Sequence, residues 1–218
     1  MMKAILFDLD ETLLNRAASV KSYLQNQYSR YDLRNIDYEV YEARFVELDE
    51  RGYADKLKVF GSLISEFSLS CSAEELLKDF RVHAWRHCKT FDNAHEALAQ
   101  LHERGFKLGI ITNGTISSQA AKLRESGLGS LVDVALISEQ EGVKKPDPVI
   151  FTRAANKLGI RVDECVFVGD NPIADIGGAH GVGMKTVWFR GYQSWPTDLT
   201  VTPDYEIQSL AELLTIGF

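Results

Sequence analysis

The sequence predicts an α/β fold: a Rossmann-like parallel sheet with helices inserted after its first strand. Three observations predict it. Short apolar runs without polar alternation occur at 4–7, 108–111, 134–137, 166–168 and 186–189, and such runs suit strands covered on both faces. Helical patterns separate the runs beyond residue 90, which implies crossovers and parallel neighbours. From about residue 15 to about residue 90 no strand pattern occurs, and ~75 residues of helical sequence match a small domain. The expected organisation is therefore a core of residues 1–14 and 91–218 and a helical insert of residues 15–90.

The helix signals follow in order. In the insert, Leu57, Phe60 and Ile64 repeat at helical spacing, with Leu63 and Phe67 beside them, an amphipathic stripe. Ser72 and Glu75 form a capping box that predicts a helix running to about His87. In the core, Asp92 is placed to cap a helix through Glu103, closed by Gly105. Thr115 begins another that ends near Gly127. Pro148 opens a helix through Leu158, and Gly159 ends it. Ser209 and Glu212 box a short terminal helix.

Composition narrows the function classes. The chain has 218 residues, 45% hydrophobic and 25% charged, with net charge -7. That is ordinary globular composition. An acidic balance argues against a nucleic-acid polymer as partner. It leaves room for a small anionic substrate in a locally positive pocket. Cys71, Cys88 and Cys165 are isolated, so free thiols in a reducing, cytoplasmic setting are expected. No basic stretch with a long apolar run follows Met1, so no signal peptide is visible. No stretch approaches the ~20 apolar residues of a membrane span. Asn113-Gly114-Thr115 spells a glycosylation sequon, which carries no weight without secretion.

Ligands in open parallel sheets bind beyond the carboxyl ends of the strands. Asp8, Asp10 and Thr12 follow the first run; Thr112, Asn113 and Gly114 follow the second. Lys144 and Lys145 follow the third, and Gly169, Asp170 and then Asp175 follow the fourth. Asp8 and Asp10, two apart in extended chain, share a side. Two close carboxylates repel unless a cation or proton intervenes. Mg²⁺ favours such oxygen ligands together with phosphate, and Asp170 would complete the set. Thr112 and nearby N–H groups can hold phosphoryl oxygens, and a lysine can neutralise transition-state charge. The collection suits phosphoryl transfer.

Four stretches in order, "DLDET" at 8–12, "ITNG" at 111–114, "KKPDP" at 144–148 and "VGDNPIAD" at 168–175, resemble the motifs of the haloacid dehalogenase-like (HAD) hydrolase superfamily. The resemblance is to the helical-cap branch and covers the whole chain. It implies a phosphatase in which Asp8 is the nucleophile and Asp10 is general acid and then base. The side chains of Asp8 and Asp170 and the Asp10 carbonyl would bind Mg²⁺. Thr112 and Asn113 would contact phosphate. Lys145 matches the family lysine, with Lys144 as the alternative, and Asp175 would orient Lys145 or a metal-bound water. Family dehalogenases lack an acid at the position of Asp10, which favours phosphate over carbon as the point of attack. "DLDETL" at 8–13 and "GIITNG" at 109–114 are similar to nucleotidase-like phosphatases and hint at a 5′-nucleotide. The expected partner is a small phosphorylated substrate, with no membrane, and the protein a monomer or homodimer. A sugar phosphomutase and a noncatalytic metabolite-binding module are the competing readings.

Other features have plainer readings. His83 and His87 have metal-ligand spacing but lack the glutamate of a zinc-protease helix, so a polar helix face is expected. Gly177, Gly178, Gly181 and Gly183 follow a helix, unlike a dinucleotide loop, and read as a tight turn. Arg51 and Tyr53 occupy a loop between helices; family relatives face substrate there, and an exposed turn is the equal alternative. Trp85 and Phe67 read as core.

Overall fold

The computed structural model describes residues 1–191 and 193–218. In chain order the elements begin with β1 (Ala4–Phe7), β2 (Leu14–Asn15), α1 (Arg16–Arg30), α2 (Tyr38–Asp49), α3 (Lys56–Phe67), α4 (Ala73–His83) and β3 (Lys89–Thr90). There follow α5 (Ala94–Glu103), β4 (Lys107–Thr112), α6 (Ile116–Glu125), β5 (Val134–Ile137), α7 (Ser138–Glu141) and α8 (Pro148–Leu158). β6 (Cys165–Gly169), α9 (Gly178–Gly181), β7 (Lys185–Phe189) and β8 (Tyr205–Ile207) complete the chain. Two compact units emerge: Met1–Asn15 with Lys89–Phe218, and Arg16–Cys88.

The first unit holds a six-stranded sheet in the order β5-β4-β1-β6-β7-β8. Every pairing in it is parallel, as the unalternated apolar runs predict. β1 is central because Ala4, Ile5, Leu6 and Phe7 are all fully buried. Its backbone pairs with β4 on one side and β6 on the other. Helix α8 supplies Ile150, Phe151 and Ala154 to the cluster that includes Leu6, Ile111 and Phe167. Each of the larger side chains among these contributes about 1.5–3 kcal/mol on leaving water. The chain runs outward from β1 through β4 to β5, then crosses to β6 on the far side. Strand order thus reverses beside β1, where open α/β sheets bind ligands.

The second unit is helical. Its core is aromatic: Phe45, Phe60, Phe80 and Trp85 are buried, with Phe80 lying 6.0 Å from Phe60 and 5.9 Å from Trp85 between ring centres. Helix α4 carries the predicted capping box on Ser72 and Glu75, yet it ends at His83, not His87. Trp85, five residues after Phe80, would point to another face of a continued helix. Leaving the helix lets it pack on Phe80. His83 and His87 therefore do not share a helix. The α3 stripe is centred on Val59, Phe60 and Leu63, while Leu57 in the first turn is exposed. Arg51 and Tyr53 are exposed at the turn after α2.

Other departures from expectation are local. Helix α5 starts from Asn93 in the left-handed conformation, with no side-chain cap, rather than from Asp92. Strand β8 has three residues, too short for a periodic signal. The terminal capping box on Ser209 is present, but the turn it opens, Leu210–Leu214, is a 3-10 helix.

Candidate active site

Each strand of a parallel sheet delivers its last residue to the same edge. Asp8 follows β1 directly, and its N–H donates to the Val168 carbonyl of β6 at 2.9 Å. Thr112 ends β4, and Asp170 follows Gly169 at the end of β6. Asp8, Thr112, Lys145, Asp170 and Asp175 are all buried. Charged side chains are almost never so buried unless paired.

Lys145 lies between two carboxylates, 2.5 Å from Asp8 and 2.7 Å from Asp175, and 5.3 Å from the centre of the Phe167 ring. Its neighbour Lys144 is exposed. Burial alone would lower the Lys145 pKa, but Asp175 and Asp8 outweigh it and hold the ammonium charged. The lysine backbone is fixed by Asn113. The Asn113 amide donates to the Lys145 carbonyl at 3.0 Å and accepts from the Lys145 N–H at 2.9 Å. The peptide bond that follows, Lys145–Pro146, is cis.

Asp175 sits in the turn Pro172–Gly177, where it accepts from the Asn171 N–H at 3.0 Å. Gly169 makes room for it: any β-carbon there would collide with the Asp175 carboxyl. Asp170 receives the Thr12 hydroxyl at 3.5 Å, and its backbone carbonyl accepts from the Trp188 indole at 2.9 Å.

One oxygen each from Asp8, Asp170 and Asp175 falls within 4.8 Å of the others. Three carboxylates face one ammonium, so negative charge is in excess. Burial pushes Asp8 up to about 7, with Asp175 adding to the rise and Lys145 opposing it. Burial, then Asp8 and Asp175, push Asp170 up to about 8. Converging buried oxygens with surplus negative charge fit a hard divalent cation, which favours carboxylate oxygen.

Asp10, two residues beyond Asp8, is bonded by residues the motifs do not contain. Lys122, buried in α6, donates to both Asp10 oxygens at 2.9 and 2.7 Å. Gln119 donates to Asp10 at 2.9 Å and to the Thr112 hydroxyl at 2.5 Å. Neither residue stood out in the sequence. Their i, i+3 spacing on a polar helix face is the only signal, and it is shared by many solvent-facing pairs.

Residues 5–189 match the haloacid dehalogenase-like hydrolase family. The chain is 33% identical to a glyceraldehyde 3-phosphate phosphatase of Methanopyrus kandleri, over 99% of this chain and 97% of that protein. It is 27% identical to the pyrimidine 5′-nucleotidase PynA of Streptococcus pneumoniae, over 97% and 93% of the two chains. A solved HAD phosphatase from Thermococcus onnurineus is 30% identical and superposes with a TM-score of 0.65, covering 98% of this chain and 97% of that one. With most of its length matched by the family and its sheet carrying buried acids at the strand ends, this chain belongs to the haloacid dehalogenase-like hydrolases.

Proposed function

We propose that the protein is a Mg²⁺-dependent phosphomonoester hydrolase acting on a small phosphorylated metabolite through an aspartyl-phosphate on Asp8. The observation that carries this reading is the buried group of Asp8, Asp170 and Asp175 around Lys145, three converging carboxyls against one ammonium that a divalent cation would balance. The side chains of Asp8 and Asp170 and the Asp10 carbonyl would hold Mg²⁺. When bound, the metal offsets the charge of a phosphate dianion approaching a carboxylate. Relatives named as a triose-phosphate phosphatase and a pyrimidine 5′-nucleotidase support a small metabolite, 5′-nucleotides included.

The chain's own residues divide the work. A carboxylate oxygen of Asp8 attacks phosphorus while the ester P–O bond breaks, and Asp10 gives its proton to the departing oxygen. Water then attacks the phosphorus, passes a proton to Asp10, and releases inorganic phosphate as the P–O bond to Asp8 breaks. Asp8 and Asp10 return to their starting forms. Lys145, held by Asp175, keeps positive charge beside Asp8 through both steps. Thr112 and the backbone at Asn113 would contact the phosphoryl oxygens, since the Asn113 amide is engaged by Lys145. The helical unit Arg16–Cys88 is read as the cap that sets specificity, and the wide spacing of Cys71, Cys88 and Cys165 along the sequence favours a reducing cytoplasm. Among the described residues no helix is long and apolar enough to cross a membrane.

The test is phosphate release from an aryl phosphate, with and without Mg²⁺. Asp8→Asn should lose at least about 10⁴-fold in turnover, as nucleophile removal does elsewhere, while melting like the native protein. Near-native turnover by that variant would refute the nucleophile assignment. A panel of nucleotides, triose phosphates and sugar phosphates then ranks substrates. Phosphate release without an isomerised product separates hydrolysis from mutase chemistry.

A further inference from the structure

We infer that Lys122 and Gln119 are the positioning pair for Asp10, tying its carboxylate to the phosphate-facing end of β4. The inference rests on the phosphatase reading above and extends it to residues outside the four motifs. The contacts determine one another. Lys122 can only donate, and it also donates to Gln119 Oε1 at 2.8 Å. That fixes the Gln119 amide with its nitrogen toward Asp10 and Thr112, where it makes both of its hydrogen bonds. Asp10 is thereby connected through one side chain to Thr112, 102 residues along the chain.

Two further observations support a dedicated arrangement. Lys122 and Gln119 are 5% and 2% exposed, although lysine and glutamine ordinarily stay in water. Space for the pair is also built into the motif: Gly114 has φ +148°, and a β-carbon there would lie 2.9 Å from Gln119 Cγ. The glycine after Thr112 and Asn113 therefore serves the close approach of Gln119. A plain structural ion pair would not need the acid that follows the first strand, the hydroxyl of β4 and two helix residues in one bonded set. Donating to both oxygens, the pair holds Asp10 as the carboxylate, the form that takes a proton from water in the second step; such a transfer needs hydrogen-bond reach, and a misplacement of about 1 Å costs on the order of 10²-fold.

A double-mutant cycle tests this. Lys122→Met keeps the aliphatic stem and removes the donors. It should lower kcat by about 10- to 100-fold with KM nearly unchanged, and Lys122→Arg should restore part of the loss. In the Asp10→Asn background Lys122→Met should cost little more, because both changes remove the same function. With an aryl phosphate, a burst of phenol release should precede slow turnover, since the second step needs Asp10 as base. Multiplying losses in the double variant, or native kcat in Lys122→Met, would overturn the inference. Should Lys122→Met fail to melt cooperatively, Gln119→Leu is read through the same cycle with the same two outcomes. Asp8→Asn separates the levels. An inactive Asp8→Asn with multiplying Lys122 losses refutes only the positioning role, whereas an active Asp8→Asn refutes the phosphatase reading beneath it.

Discussion

The two units bury polar groups in opposite ways. In the helical unit the buried network closes on itself. The Tyr41 hydroxyl donates to Gln27 at 2.8 Å, Gln27 to the Tyr23 hydroxyl at 2.6 Å, and Tyr23 to Asp79 at 2.9 Å. Asp79 is balanced by Arg30 at 2.7 Å. In the sheet unit Asp8, Asp170 and Asp175 face Lys145 with charge left over. A satisfied network stabilises and specifies a core. A buried surplus of carboxyls is balanced by a proton or by a bound cation, and strongly perturbed carboxyls are candidates for function.

Four experiments would break or sharpen that contrast. Asp170→Asn should cost about 10²- to 10³-fold in turnover and abolish the Mg²⁺-induced rise in melting temperature. Without added metal the variant should melt no lower than the native protein at pH 8 and above, where an ionised Asp170 would repel Asp8 and Asp175. Marked destabilisation would show that the acid is structural. In the helical unit the signs reverse. Phe80→Ala should remove about 3–5 kcal/mol of stability, measured by urea denaturation, because Phe80 packs on Tyr23, Phe45, Phe60 and Trp85.

Gln27→Leu should cost about 1–3 kcal/mol, since the Tyr41 hydroxyl would lose its acceptor and Tyr23 a donor. A neutral result would mean that water replaces the amide. The smallest effect concerns pH. Asp8 and Asp170 stand at about 7 and about 8 in the metal-free fold, against about 3.9 when unfolded. Between about pH 4 and pH 8 the folded state binds more protons than the unfolded one, so this contribution to stability falls as pH rises. Mg²⁺ should therefore raise the melting temperature more at pH 8 than at pH 5.5. Equal shifts at both pH values would count against these acids as its ligands.

How much was legible differs from residue to residue. Asp8, Thr112 and Asp170 stand out in the sequence because each follows an apolar run, and a parallel sheet sends every run's end to one edge. Pro148 and Gly159 bound α8 as their chemistry predicts, with Asp147 as its cap. Asn113 was legible as a strand-end residue, but not its two bonds to the Lys145 backbone, which join loops 32 residues apart. Gln119 and Lys122 were not legible, because a polar helix face looks the same whether it meets water or the half-buried Asp10. Leu57 misled for a related reason: periodicity defines a stripe without saying which turn of it is covered.

The sequence by itself determined the α/β class, the parallel sheet and the gathering of acids at its edge, because those follow from local pattern and strand polarity. Only the tertiary structure decided which side chains touch: that Lys145 bridges Asp8 and Asp175, and that Lys122 reaches Asp10 across 112 residues. Contacts of that span depend on how helices pack against the sheet, and the spacing of residues along one segment carries no record of it.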